Sequence, residues 1–169
     1  MRRVISALAA GAAFFVPVAA EARPGDQIGE AVVVVNQVTA ELSRDVRTLA
    51  KGDPVRHSEL VFAGSDARTE LALDDSTKLA LGPGARVRLD KFVYDHDRHS
   101  GSILVDLVTG TFRFITGVAS KPSYLIRTPT AAITVRGTIF DVFVRRGGET
   151  WVLLSEGGKI GRASCRERV

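Results

Sequence analysis

Apolar residues fall on alternate positions through much of this chain, and the pattern is plainest between residues 124 and 144. Tyr124 and Ile126 lead into Thr128-Pro129, after which Ala131, Ile133 and Val135 keep the same spacing. Successive side chains of a strand point to opposite faces, so a period of two sends one row into a core and leaves the other outside. Arg136-Gly137-Thr138 interrupts the row, and Phe140, Val142 and Val144 resume it. Gly137 is therefore expected at a bulge or corner, where a residue with a Cβ would be strained. Pro129 has no amide proton for a ladder, which places Thr128-Pro129 at an edge or bend.

The alternation extends upstream. Residues 32–35 form a continuous apolar run, and over 67–73 Thr69, Leu71 and Leu73 alternate with Arg68, Glu70 and Ala72. Asp74-Asp75-Ser76 turns the chain and 77–81 returns it. Gly82-Pro83-Gly84 turns it again before Ala85, Val87 and Leu89 alternate with Arg86, Arg88 and Asp90. Further strands are expected at 102–108, 111–115, 123–127, 130–135, 138–145 and 149–155, with turns at Thr109-Gly110 and Arg146-Gly147-Gly148. Only 39–49 offers a helical face, from Leu42, Val46 and Leu49. Short strands at this spacing predict an all-β fold, a two-sheet sandwich or a solenoid rather than parallel α/β. Composition does not separate these from a jelly roll.

The run T-P-x-A-x-x-x-V-R-G-T-x-F-x-V, written by residues 128–142, resembles the hallmark of the FecR domain, an all-β module of the Gram-negative periplasm. Lys51-Gly52-Asp53 and the segments 72–79, 81–87, 107–112 and 152–157 are similar to that family's successive strands and turns, in order, so the resemblance spans residues 50–159. It implies strands wound into a twisted, solenoid-like stack of two facing sheets. In the founding members a cytoplasmic anti-sigma segment precedes one transmembrane helix, and the periplasmic domain relays the occupancy of an outer-membrane transporter. Here the chain begins instead with what reads as a leader, so the expectation is a domain without the cytoplasmic anti-sigma part.

That leader is Met1-Arg2-Arg3, an Ala-rich apolar run over 4–18 and a small-residue pattern at Val18-Ala19-Ala20 or Ala20-Glu21-Ala22. Together they read as a secretory signal peptide over 1–22, with a mature start near Arg23. The competing reading is an uncleaved anchor, although the run is broken by Pro17 and falls short of the roughly 20 residues that span a bilayer. At the other end, residues 160–169 look like the translation of a sequencing adapter, which would leave residues 23–159 as the β domain and the natural C-terminal region beyond Lys159 out of view. A genuine basic tail is the alternative.

The two ends distort the charge. The whole chain has 23 Lys and Arg against 19 Asp and Glu, but residues 23–159 hold 18 and 17. No clustered basic excess is left that would argue for nucleic acid. Cys165, the single cysteine, lies in the suspect tail, so an exported domain would be held by packing without disulfides.

Chemistry-bearing residues are sparse. Asp95-His96-Asp97-Arg98-His99 is the densest set of potential ligands, yet no cysteine or third nearby histidine completes a zinc site, and His57 is remote. It reads as a polar hairpin loop, with His96 and His99 able to tune a surface contact. Asp53 and the Asp74-Asp75 pair sit among turn formers, where Asp orders backbone, rather than in an acid–base arrangement. Ser155-Glu156-Gly157 lacks a nucleophile-elbow context and no phosphate loop is present. Arg136 is read as pairing with Asp141 or another acid to lock the corner, or else as facing a ligand. Trp151 and Tyr94 read as core or rim aromatics.

The sequence thus predicts no catalytic, cofactor or metal residue and leaves the binding surface open. The function expected is that of an exported, non-enzymatic sensing or protein-interaction module in the periplasm, acting on an unidentified envelope protein or glycan, or located instead at the outer membrane or outside the cell. The alternatives are a cell-envelope structural or adhesion protein and, further off, a secreted hydrolase.

Overall fold

A computed structural model describes residues 23–95, 100–117, 124–135, 139–155 and 161–163. Among them are fourteen strands and no helix: β1 (Gln27–Val35), β2 (Val38–Leu42), β3 (Asp45–Thr48), β4 (Pro54–Arg56), β5 (Leu60–Ala63), β6 (Arg68–Leu73), β7 (Lys78–Leu81), β8 (Arg86–Asp95), β9 (Ser100–Ile115), β10 (Tyr124–Arg127), β11 (Ala132–Val135), β12 (Ile139–Val144), β13 (Thr150–Leu154) and β14 (Gly161–Ala163). They form one curled sheet in the order β3-β2-β5-β8-β9-β7-β6-β1-β4. From β9 branch β10-β11 on one side and β12-β13-β14 on the other. Described neighbours run antiparallel except β9 and β10, which are parallel.

The buried rows follow the predicted alternation. Thr69, Leu71 and Leu73 of β6, Leu79 and Leu81 of β7, Val87 and Leu89 of β8, and Phe140, Val142 and Val144 of β12 all point into a single apolar core. Phe114 of β9 lies opposite Phe140, their rings stacked with centroids 5.1 Å apart and 3° between planes. Such pairs add to the burial of apolar area that drives the sheet to close on itself. Pro129 falls in the turn between β10 and β11, and Arg146-Gly147-Gly148 in the turn between β12 and β13, as their chemistry predicts.

Two expectations give way. Residues 39–49 are not helical: β2 and β3 make a hairpin in which Thr39 faces Thr48 and Leu42 faces Asp45. Val38 and Ala40 bury alternate positions and pair with Ala63 and Val61 of β5, so ladder hydrogen bonds outweigh the three residues spaced for a helix. Thr109-Gly110 is not a turn between two strands either, because β9 runs straight through it. Up to Thr109 the strand pairs with β8 and β10, and from Gly110 onward it pairs with β7 and β12.

The crossing shifts the buried row from Ile103, Val105 and Leu107 to Phe112 and Phe114. Gly110 sits at the shift with φ +109, and a Cβ there would lie 2.4 Å from the Ala85 Cα. Only glycine meets both conditions, so the corner on which the sheet folds is at Gly110. Gly137, where the sequence places a corner, lies with Arg136 and Thr138 outside the described residues, as do residues 1–22 and His96–His99. The β14 segment falls within the adapter-like tail, and its pairing with β13 shows that the edge of β13 accepts a further strand.

Candidate functional site

Four short connections meet at the end of the sheet where β9 turns its corner: residues 64–67, 82–85, 128–131 and 145–149. Each is fixed by its own backbone bonds. Ala67 N donates to Gly64 O, Gly84 N donates to Gly64 O and Gly82 N donates to Thr111 O. The Thr128-Pro129-Thr130 turn is tied to the β12–β13 turn by hydroxyls. Thr128 and Thr150 Oγ1 lie 2.8 Å apart, and Thr130 Oγ1 donates to Gly148 O at 2.5 Å. Thr150 is fully buried, which gives the T-P-x-A motif a structural job: it joins two hairpins at one end of the scaffold.

Between these connections lies an open cleft of about 360 Å³. Phe62 and Val108 supply its apolar wall, Ser65 and Thr109 its hydroxyls, and Arg86 and Arg146 its charge. Arg86 comes from β8, where Phe62 is its register partner on β5, and its guanidinium carbon stands 4.4 Å above the Phe62 ring centre. At that distance the cation is attracted to the face of the ring, which restrains the side chain. Arg146 enters from the β12–β13 turn and also lines an adjoining 320 Å³ groove with Pro83, Gly110 and Phe143. Among the described residues no carboxylate lines either space.

The acids nearby are already engaged. Asn36 Nδ2 donates to Asp66 Oδ2 at 3.2 Å, Arg145 pairs with Glu149 at 3.3 Å, and Arg127 binds both Asp106 and Asp90. The Arg127 guanidinium titrates above its ordinary range, chiefly through its hydrogen bond to Asp106. Arg113 is raised likewise by its bond to Asp141. A raised folded-state pKa leaves the cation's contribution intact below the ordinary arginine range and removes it only above, so both pairs are constant across neutral pH on the cationic side.

The sequence candidates fall elsewhere. Asp75 is buried in the β6–β7 turn, accepting from the Thr77 amide at 3.0 Å, the Thr77 hydroxyl at 2.7 Å and the Tyr124 hydroxyl at 2.6 Å. Asp53 accepts from the Ala50 amide at 2.8 Å. Both therefore order turns, as the bland reading had it. Glu59, which the sequence does not single out, is buried and held by Arg47 at 3.0 Å and by the Arg56 amide. His57 is buried beside Ser58. Asp141, one of the partners read for Arg136, accepts two bonds from Arg113, at 2.7 and 3.0 Å, because the two are register partners on β12 and β9, while Arg136 itself lies outside the described residues. Among the described residues no group of three or more His, Cys, Asp or Glu is placed to hold a metal ion.

Trp151 is not an isolated aromatic. It faces Phe143 across the β12–β13 ladder, and the two are 41% and 43% exposed on the outer surface next to Leu153. Neither the cleft nor this pair was visible in the sequence. The available signal was weak: Arg86 is one polar position of an alternating strand, and Arg146 one residue of a Gly-rich turn.

A protein-family model described as FecR protein matches residues 59–158, more than half of the chain and all of β5 through β13. No curated protein and no solved structure matches.

Proposed function

This chain belongs to the FecR protein family, and on that premise we propose that it is an exported recognition module that senses or binds a partner in the periplasm and does no chemistry on it. The observation that carries the reading is the family match, which covers the core hairpins and the corner. The geometry supports it. The rigid sheet presents open grooves at one loop end, the arrangement in which a scaffold positions recognition residues. Asp75 and Glu59, the buried carboxylates among the described residues, are engaged in hydrogen bonds that hold the fold. No helix among the described residues is long and apolar enough to cross a membrane. A second reading, envelope anchoring through a glycan, is favoured by the exposed, neighbouring Phe143 and Trp151, since exposed aromatic faces suit the apolar faces of sugar rings.

Expression of the full chain in a Gram-negative host, followed by fractionation and intact-mass measurement, tests the reading. The expected result is periplasmic protein beginning near Arg23 or Glu21. Protein that keeps Met1 and stays in the cytoplasm or the inner membrane would overturn export, and with it periplasmic recognition.

A further inference from the structure

We propose that the cleft between Arg86 and Arg146 is a binding site for a small ligand that carries an oxyanion, carboxylate or phosphate, on a compact body with an apolar face. Four observations converge on it. The cleft's volume, about 360 Å³, is in the range of small-ligand sites. Among the described residues two guanidinium groups line it and no carboxylate does. Among the described residues neither arginine has an ion-pair partner, Arg86 making only its ring contact and Arg146 none. The neighbouring acids Asp66, Glu149, Asp90 and Asp106 are held by other groups.

Cations normally recruit an acid on a crowded β surface. Here Arg86 and Arg146 have no such partner among the described residues, and they place two positive charges in the lining of one concave space. Arg86 is also restrained by its contact with the Phe62 ring, so less side-chain entropy is lost on binding. The Phe62 and Val108 walls would cover the ligand's apolar face, while the Ser65 and Thr109 hydroxyls lie beside its polar edge. The ligand is small because the walls are: the surrounding turns close the cleft on the sides of Gly84 and Thr109.

The inference rests on the recognition reading above, but the two fail separately, since mass and fractionation decide export and a titration decides the ligand class. Isotope-labelled full chain is titrated at constant ionic strength with inorganic phosphate, with glucuronate and with the neutral glucuronamide. Saturable amide shifts confined to Ser65, Gly84, Thr109 and Arg146 are expected with at least one anion and not with the amide. Preference between phosphate and glucuronate assigns the oxyanion. Arg86→Gln and Arg146→Gln should each weaken binding about tenfold. The lysine variants should weaken it less, because they keep the charge and lose only the fork. Arg44→Gln, in the β2–β3 turn at the opposite end of β2 from Ser65, should bind normally. Melting curves establish that the variants are folded. Absence of saturable shifts with both anions, equal shifts with glucuronamide, or unchanged binding in both folded glutamine variants would each overturn the proposal.

Discussion

Replacing Gly110 with alanine imposes two separate costs on β9. The first is conformational: φ is +109, a region that residues with a Cβ occupy at about 1–3 kcal/mol. The second is steric. The new methyl carbon would lie 2.4 Å from the Cα and 2.5 Å from the Cβ of Ala85, which is fully buried and cannot retreat into solvent. Overpacking of this kind costs about 1–3 kcal/mol more. The sum, about 2–6 kcal/mol, is a large part of the roughly 5–15 kcal/mol that holds a domain together. At about 4 °C per kcal/mol the melting temperature should fall by roughly 8–24 °C.

Urea unfolding followed by the fluorescence of the single tryptophan, with calorimetry alongside, measures the loss. Two other glycines separate its parts. Gly52 shares a positive φ, +88, and has nothing within 4 Å of an added Cβ, so Gly52→Ala carries only the conformational cost. Gly147 has neither feature, and Gly147→Ala should stay within about 0.5 kcal/mol of the parent. If Gly110→Ala is no worse than Gly147→Ala, the sheet does not fold at Gly110. If it merely equals Gly52→Ala, the close approach of β9 to Ala85 contributes nothing.

Tyr124→Phe removes the hydroxyl that donates to buried Asp75 and should cost about 1.5–3 kcal/mol in the same assay; an unchanged midpoint would mean that Asp75 does not depend on that bond. Arg47→Met strands the buried Glu59 with the Arg56 amide as its remaining donor and should cost about 3–5 kcal/mol. Adding Glu59→Gln should restore part of that loss, and no restoration would show that charge burial is not its source.

Strands that bury one face were legible because a single alternation serves each of them. Thr69, Leu71 and Leu73 point inward as their spacing dictates, and so do Phe140, Val142 and Val144. β9 was not legible for the same reason, since one strand serves two parts of the sheet and its inward row changes phase at Gly110. Read locally, Thr109-Gly110 has the chemistry of a turn. At 39–49 the deciding partner is β5, about twenty residues downstream, and no window containing only Leu42, Val46 and Leu49 includes it. The Arg113–Asp141 pair was hidden for the same kind of reason: the two are cross-strand neighbours, and that adjacency exists only once β9 and β12 are aligned.

The cleft was hidden by a different kind of averaging. Phe62, Arg86, Thr109 and Arg146 come from four separate parts of the chain, and residues 23–159 are close to neutral overall, with 18 basic and 17 acidic side chains. Net charge governs what a molecule feels from afar, whereas a ligand inside a cleft feels the charges within a Debye length, about 8 Å at physiological salt. The lining of the cleft itself is unbalanced, with Arg86 and Arg146 and, among the described residues, no carboxylate. A polyanion such as nucleic acid would extend far beyond that length and average over the paired acids, gaining little. A ligand of cleft size would contact the two cations directly. The near-neutral composition that argues against nucleic acid is therefore compatible with selective binding of a small anion, and size rather than charge alone separates the two.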